Sequence, residues 1–144
     1  MEKNSVFVDS NYFVALFNEN DTLYERARNI ARQIEKEQRH LCISNLVFLE
    51  IVTVLSQRRG RTVGIEVGEY LRANPHITLV HADEFIHEKS WYIFQNTPQK
   101  NISFVDCGII AVMKEENLKE LLTFDQNDFK HLQSHCQFHF YSTE

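Results

Sequence analysis

Four acidic residues of this chain lie inside or directly beside apolar segments, where a carboxylate is unfavourable. Burial removes the hydration of an ionised carboxylate, so such a group must be protonated, paired with a cation or bound to a metal ion. No Lys or Arg is adjacent to any of the four in the sequence. Acids in such surroundings, spread over the whole chain, predict one shared site that a divalent cation makes tolerable. The four are Asp9, Glu50, Asp106 and Asp125.

The chemistry that this set allows follows from its ligand atoms. Carboxylate oxygens are hard ligands that suit Mg²⁺ or Mn²⁺, and they require no His or Cys beside them. One or two such ions orient a water molecule, lower its pKa and neutralise the charge that builds up on a phosphodiester during in-line attack. The acids therefore favour a metal-dependent enzyme that acts on phosphodiesters.

Strand-like and helix-like segments alternate along residues 1–144, and only four glycines and two prolines interrupt them. This alternation favours right-handed βαβ crossovers and a parallel sheet. We therefore expect a single α/β domain over residues 1–144, a three-layer α/β/α sandwich around a mostly parallel sheet. The predicted strands are residues 5–8, 41–43, 77–80, 121–124 and 136–140, and the predicted helices begin near residues 10, 22, 44, 63, 83, 104 and 128.

The predicted elements bring the four acids to one edge of that sheet. Ligands of an open parallel sheet bind beyond the carboxyl ends of its strands, and Asp9 and Asp125 each follow a predicted strand. Asp106 lies in the first turn of a helix that Ser103 caps, and Glu50 lies about a turn and a half into another. Both helices begin at the same edge, so we expect all four carboxylates to reach one pocket.

Four segments resemble, in order and spacing, the motifs of PIN-domain ribonucleases, most of all the VapC-type toxins of bacterial toxin–antitoxin pairs. They cover nearly the whole chain, and the set of four is far more specific than any one of them. The resemblance implies a PIN-like fold and a Mg²⁺- or Mn²⁺-dependent endoribonuclease that cleaves single-stranded RNA or an RNA loop. The segments are Phe7-Val8-Asp9-Ser10-Asn11, Ser44-Asn45-Leu46-Val47-Phe48-Leu49-Glu50-Ile51, Ser103-Phe104-Val105-Asp106-Cys107 and Thr123-Phe124-Asp125-Gln126-Asn127-Asp128-Phe129.

The same resemblance implies roles for individual residues. Asp9, Glu50 and Asp106 match the metal-binding, catalytic acids of the family. The fourth family acid matches either Asp125 or Asp128, and a place at the end of a strand favours Asp125. Three neighbouring polar residues also match positions that line the family's site, namely Ser10, Asn11 and Thr123.

The formal charge of −5 opposes broad, non-specific binding of nucleic acid, which needs a basic surface. The balance is only −1 when the four candidate acids, neutralised by metal, are left out of it. The one concentrated basic segment contains Arg58, Arg59 and Arg61, at the predicted end of a helix. Such arginines stabilise the helix dipole or remain solvated, and they also bind phosphates, so this segment is a candidate RNA contact.

Large aromatic side chains exceed what the core of a chain of this size must absorb. That surplus, together with the paired subunits that the resemblance implies, predicts a homodimer. The resemblance also implies a small antitoxin protein as a partner. Six aromatic residues are candidates for the core or for a subunit interface: Tyr12, Phe13, Phe17, Trp91, Tyr92 and Phe94.

Three features of the chain indicate a cytoplasmic protein without a membrane anchor. No apolar run approaches the roughly 20 residues that a membrane helix needs. The N-terminal residues do not resemble a signal peptide. The three cysteines are far apart and lie beside apolar residues, without a Cys-x-x-Cys pair, which favours reduced thiols in the core.

Two other classes of function compete with a nuclease. A non-catalytic binding module on the same PIN scaffold would keep a metal pocket without turnover. A phosphotransfer α/β domain would use Asp9, but phosphatases of the haloacid dehalogenase type need a second Asp two residues later, where this chain has Asn11. Asp83 also follows a predicted strand, and it either caps the next helix or adds a fifth acid to the pocket.

Overall fold

The structure is a computed structural model that describes residues 4–142 of the chain. Within that part, five parallel strands form one sheet in the order β3-β2-β1-β4-β5. The strands are β1 (Ser5–Val8), β2 (His40–Ser44), β3 (Ile77–Val80), β4 (Glu120–Leu122) and β5 (His139–Phe140). The helices are α1 (Ser10–Leu16), α2 (Tyr24–Glu37), α3 (Asn45–Arg59), α4 (Arg61–Ala73), α5 (Glu84–Gln95), α6 (Phe104–Glu115) and α7 (Gln126–Lys130).

The order of the strands places a reversal at the centre of the sheet. From β1 the chain adds β2 and β3 on one side, and it then returns to add β4 and β5 on the other. Right-handed crossovers then place the helices of the two halves on opposite faces of the sheet. The arrangement confirms the predicted α/β fold, and it puts the expected ligand site at the carboxyl ends of β1 and β4.

The central strand anchors the first candidate acid. Residues 6–8 of β1 have no exposed surface, and β1 is hydrogen-bonded to β2 on one side and to β4 on the other. After β1 ends, the backbone N–H of Asp9 still donates to the carbonyl oxygen of Leu122 at 2.9 Å. Asp9 is therefore held at the end of β4 by the backbone itself.

Helix caps near this edge follow the pattern predicted from the sequence. The hydroxyl of Ser44 accepts a hydrogen bond from the N–H of Val47 at 3.2 Å, so Ser44 is the cap of α3. The side chain of Asn45 instead accepts a hydrogen bond from the N–H of Ala82 at 2.7 Å, which ties the start of α3 to the segment after β3. Asp83 caps α5 through its carboxylate.

β4 is shorter than the predicted strand 121–124, because its last residues bond to side chains rather than to a neighbouring strand. The N–H of Phe124 donates to Asn11 Oδ1 at 3.2 Å, and the N–H of Asp125 donates to Thr123 Oγ1 at 3.0 Å. The strand therefore ends at Leu122, and Thr123 begins a connection that faces the candidate site.

The predicted strand 136–140 is likewise reduced to the two residues of β5. The side chain of Gln133 donates to the carbonyl oxygen of Phe138 at 3.0 Å. The N–H of His139 donates towards β4, to the carbonyl oxygen of Lys119 at 2.9 Å, so the carbonyl group of Phe138 in the same peptide faces away from β4.

No helix within residues 4–142 is long and apolar enough to cross a membrane. The three cysteines, Cys42, Cys107 and Cys136, are buried and free, in agreement with the predicted core positions.

Candidate active site

A cleft of about 410 Å³ opens at the carboxyl edge of the sheet, where β1 and β4 end. The four acids predicted to meet at this edge all line it, although they come from distant segments of the chain. Two further acids, Asp21 and Asp128, also line it, and Arg58 is the one basic side chain among the described residues of its wall. The cleft therefore collects negative charge that the protein must stabilise.

Asp9 is the most buried of these acids, with 5% of its surface exposed. Its Oδ1 atom accepts a hydrogen bond from the N–H of Ser10, and its Oδ2 atom accepts one from the hydroxyl of Thr123, both at 2.8 Å. Burial raises the pKa of Asp9 to about 7, and the charges of Asp106 and Glu50 act in the same direction, against these hydrogen bonds. At neutral pH the site therefore favours the ionised form of Asp9 hardly more than the protonated form.

Asp106 is placed by the predicted capping box at the start of α6. Its N–H donates to the hydroxyl of Ser103 at 3.0 Å, and its Oδ2 atom accepts the N–H of Ser103 at 3.3 Å. Burial raises the pKa of Asp106 to about 6; the bonds to Ser103 oppose that shift, and the charges of Asp125 and Asp128 add to it. The start of α6 thus fixes the position of a carboxyl group whose ionised form is disfavoured by its surroundings.

Glu50 reaches the cleft from α3, where it is half-buried. Its Oε1 atom accepts a hydrogen bond from the hydroxyl of Ser10. Ser10 therefore contacts two acids at once, Asp9 through its backbone N–H and Glu50 through its side chain. The polar residue predicted beside Asp9 thus joins the start of α1 to α3.

The two candidates for the fourth acid come from the connection between β4 and α7, which supplies Asp125, and from the first turn of α7, which supplies Asp128. Asp125 is exposed and Asp128 is half-buried, and both line the cleft. The side chain of Asn11 donates to Asp125 Oδ2 at 3.2 Å and lies 3.4 Å from Thr123 Oγ1, to which it also donates. Lining alone does not separate the two candidates for the fourth acid, but this hydrogen bond is made to Asp125.

Of the three arginines predicted as an RNA contact, one reaches the cleft. Arg58 Nη1 lies 3.8 Å from Asp21 Oδ2, at the rim. Arg59 Nη1 lies 3.9 Å from Glu19 Oε1, and neither Arg59 nor Arg61 lines the cleft. The basic segment at the end of α3 is therefore divided between the cleft and the outer surface.

Asp21 is the cleft acid that the sequence does not reveal. It lies between α1 and α2, and its Oδ1 atom accepts a hydrogen bond from the N–H of Leu23 at 2.8 Å. Its polar neighbours, residues 20–22, have the composition of a helix start, and that pattern conceals a place in the cleft. Asp83, which was a second possibility for an extra acid, caps α5 and does not line the cleft.

The donor chemistry of the cleft fits a hard divalent cation. Among residues 4–142, no three His, Cys, Asp or Glu side chains stand close enough together to hold an ion as they are placed. The acidic side chains of the wall nevertheless all offer carboxylate oxygens as metal ligands, and no His or Cys lies among the described residues of the wall. A bound cation would offset the desolvation and the repulsion that raise the pKa of Asp9 and Asp106.

Residues 6–134 match the PIN domain family, and the chain belongs to that family. A similar curated protein is the 23S rRNA-specific endonuclease VapC20 of Mycobacterium tuberculosis, which is 25% identical over 120 residues, or 83% of this chain and 88% of that protein. The resemblance to PIN-domain proteins drawn from the four motifs is thereby confirmed.

Solved structures share the fold. The crystal structure of VapC20, described as a sarcin-ricin loop cleaving toxin, has a TM-score of 0.76 at 22% identity and covers 87% of this chain and 93% of its own. VapBC2 from Rickettsia felis, bound to a DNA fragment from its promoter, has a TM-score of 0.68 at 16% identity, with 96% and 99% covered. A toxin–antitoxin complex from Klebsiella pneumoniae has a TM-score of 0.65 at 15% identity, with 96% and 98% covered.

We predict that Asp106→Asn stabilises the metal-free protein, because Asn can still accept the N–H of Ser103 while the disfavoured charge is removed. The pKa of Asp106 rises from 3.8 to about 6 on folding, so ionisation destabilises the fold progressively as the pH rises between these values, and fully above them. In EDTA, thermal denaturation should show a melting temperature roughly 2–5 °C higher at pH 8, and a smaller gain at pH 5.

The matched control is Asp83→Asn, which neutralises an acid outside the cleft and keeps a residue type that caps helices well. Its melting temperature should stay at the wild-type value. A melting temperature for Asp106→Asn at or below wild type at pH 8 would contradict the electrostatic account of the cleft.

Proposed function

We propose that this protein is a divalent-metal-dependent endoribonuclease and the toxin of a toxin–antitoxin pair. One observation carries the proposal: carboxylates from four distant segments of a PIN-domain chain line a single cleft at the carboxyl edge of the sheet. The metal in this proposal is Mg²⁺ or Mn²⁺, and the reaction is hydrolysis of an RNA phosphodiester.

The side chains of the cleft divide the work between binding and orientation. When bound, a divalent ion lowers the pKa of a water molecule and neutralises charge on a phosphodiester. Ser10 and Thr123 orient the acids, because the hydroxyl of Ser10 donates a hydrogen bond to Glu50 and the hydroxyl of Thr123 donates one to Asp9. The ion would be held by Asp9, Glu50, Asp106 and Asp125.

The proposed substrate is single-stranded RNA or an RNA loop in the cytoplasm. The similar protein VapC20 is named a 23S rRNA-specific endonuclease, and its structure is described as that of a toxin that cleaves the sarcin-ricin loop. Loops present unstacked bases and accessible phosphodiesters, which proteins recognise more readily than the narrow major groove of paired RNA. An acidic cleft with one arginine at its rim fits such a substrate once metal is bound.

We predict that Asp9→Asn loses RNA cleavage while keeping the fold. The substitution removes a charged ligand from the centre of the cleft, so the rate should fall by about 100-fold or more. Cleavage of a fluorescent RNA hairpin loop would be followed in Mn²⁺ and in EDTA, with circular dichroism to check the fold. Asp83→Asn should cleave at the wild-type rate.

Other outcomes of this assay, together with two further measurements, distinguish the competing functions. Wild-type cleavage by Asp9→Asn would refute the site. A wild-type protein whose melting temperature rises with Mn²⁺, but which cleaves no RNA, would be a non-catalytic module on the PIN scaffold. Acid-labile phosphorylation of Asp9 by a small phosphodonor would indicate a phosphotransfer domain.

We also propose that Arg58 binds a phosphate of the RNA at the rim of the cleft. Its side chain is 56% exposed, and Asp21, which is 15% exposed, is held in place by the N–H of Leu23. Ion pairs at a surface are worth about 0–1 kcal/mol, so a phosphate can replace Asp21 as the partner of the guanidinium at little cost. Arginine also suits phosphate because its planar group donates two parallel hydrogen bonds.

Arg58→Gln should therefore raise KM for the RNA hairpin by about 5- to 10-fold with little change in kcat. Loss of one phosphate contact should also reduce the slope of log Kd against log salt concentration by about 1. Arg59→Gln is the matched control, because Arg59 follows Arg58 in the sequence but faces Glu19 outside the cleft. Equal effects of the two substitutions would show that only the overall charge matters.

A homodimer is the proposed assembly, and the structure restricts which aromatic residues can form it. Tyr12 and Phe13 are each 2% exposed and belong to the core, the first of the two places predicted for them, so they are not available for an interface. Phe17 is half-buried. Trp91 and Tyr92 remain 46% and 63% exposed on α5.

The proposed interface is the α3–α5 face, formed by the exposed side chains of these two helices. Leu46 and Leu49 of α3 are 39% and 64% exposed, although the apolar pattern of α3 is that of a buried helix. Trp91 and Phe94 form a ring cluster with Phe104, with centroids 5.7–5.9 Å apart. Phe104 and Leu49 are close in sequence to Asp106 and Glu50, so pairing here would bring two clefts near each other. The face is formed by Leu46, Leu49, Phe85, Trp91, Tyr92 and Phe94.

Light scattering at micromolar concentration should give about twice the chain mass of 17.0 kDa. Trp91→Arg should shift the protein towards the monomer, because it places a charge at the centre of an apolar interface. Tyr70→Arg, at a site 48% exposed on α4, is the control and should leave the mass unchanged. A monomer at all concentrations would refute the dimer.

The proposed protein partner is a small antitoxin. Solved structures that share this fold include a toxin–antitoxin complex from Klebsiella pneumoniae. A partner segment that carries Arg or Lys would complement the acidic cleft and compete there with metal or RNA.

A further inference from the structure

Asn11, in the first turn of α1, makes three hydrogen bonds to the connection between β4 and α7. Its side-chain nitrogen donates to Asp125 Oδ2 at 3.2 Å and to Thr123 Oγ1 at 3.4 Å. Its side-chain oxygen accepts the backbone N–H of Phe124 at 3.2 Å. One amide group thus contacts three consecutive residues that lie more than 110 positions away in the sequence.

The backbone partner determines which way the amide faces. The N–H of Phe124 can only donate, so the atom of Asn11 that it meets must be the carbonyl oxygen. The NH₂ group is then directed at Thr123 and Asp125. The donation to the carboxylate of Asp125 is therefore enforced by the backbone of the adjacent residue.

Thr123 closes this arrangement from the other side. Its hydroxyl has one proton, which it donates to Asp9 Oδ2 at 2.8 Å. The same oxygen therefore acts as an acceptor towards the N–H of Asp125 at 3.0 Å and towards Asn11. Asn11 and Thr123 together link the carboxylate of Asp125 to that of Asp9.

Asp125 and Asp128 differ in this respect. Asp125 is exposed, and without a partner its carboxylate would sample several rotamers. In the described part of the chain, the carboxylate of Asp128 accepts no hydrogen bond. The two acids line the same cleft, but only the carboxylate of Asp125 is oriented there by a side chain from another element.

We propose that Asn11 is a positioning residue that selects Asp125, and not Asp128, as the fourth acid of the metal site. An amide is suited to this task, since it restrains the carboxylate without neutralising it. A carboxylate at position 11 would repel Asp125, and a serine would be too short to contact all three partners. The inference rests on the proposed function, because it concerns the same cleft.

The test is a pair of double-mutant cycles, Asn11→Ala with Asp125→Asn and Asn11→Ala with Asp128→Asn. Two properties would be measured for each protein: the Mn²⁺ concentration that gives half of the maximal rise in melting temperature, and kcat and KM for cleavage of an RNA hairpin. Melting in EDTA gives the structural effect of each change separately. Coupled residues deviate from additivity, and independent ones do not.

We expect Asn11→Ala to raise the half-maximal Mn²⁺ concentration by about 5- to 10-fold and to lower kcat by about 10-fold, with KM little changed. In the Asp125→Asn background the same substitution should have no further effect on either property. In the Asp128→Asn background its full effect should remain.

An undiminished effect of Asn11→Ala in the Asp125→Asn background would overturn the inference, as would coupling to Asp128 instead. A loss of activity that merely follows the melting temperature in EDTA would also overturn it. If the wild type cleaves no RNA but the Mn²⁺ cycle shows coupling to Asp125, the proposed function fails and the role of Asn11 stands. If the wild type neither cleaves RNA nor responds to Mn²⁺, both fail.

Discussion

The burial of carboxylates in one cleft, together with their mutual repulsion, is the constraint on which the rest of the structure depends. Each of the four acids at the carboxyl edge accepts at least one hydrogen bond from a group fixed by a helix start or a strand end. Ser10 serves Asp9 and Glu50, Ser103 serves Asp106, and Asn11 serves Asp125. Their donors reduce the cost of the buried charge without removing it. The cleft is therefore preorganised and still electrostatically unfavourable, a combination that suits a site for a cation.

The parts of this site that depend on backbone direction could be predicted from the sequence. A parallel sheet sends every strand end and every following helix start to one edge, so Asp9, Glu50, Asp106 and Asp125 had to converge once the strand–helix alternation was recognised. The cap formed by Ser103 was equally accessible, since it is a local pattern.

Other features depend on contacts between distant segments, and no local pattern encodes them. The proximity of Asp21 to Arg58 arises from the way α1 and α2 pack near the end of α3, and the polar run around Asp21 has the composition of an ordinary helix start. The exposure of Leu49 on α3 was equally hidden, because periodicity does not distinguish a core face from an unpaired one. The early end of β4 was hidden for the same reason, because the acceptor of the N–H of Phe124 is Asn11 on α1.

The hydrogen bond from Thr123 to Asp9 joins residues 114 positions apart, and this separation has a consequence for the synthesis of the protein. A ribosome makes the chain from its N-terminus, so Asp9 is present long before Thr123 and Asp125 have been added. Until then the cleft lacks Asp125 and the hydrogen bond from Thr123 to Asp9, and contacts of such high sequence separation are slow to form. An enzyme with RNA as its substrate would therefore be inert early in its translation, and it would acquire its complete site only after residues 123–125 have emerged.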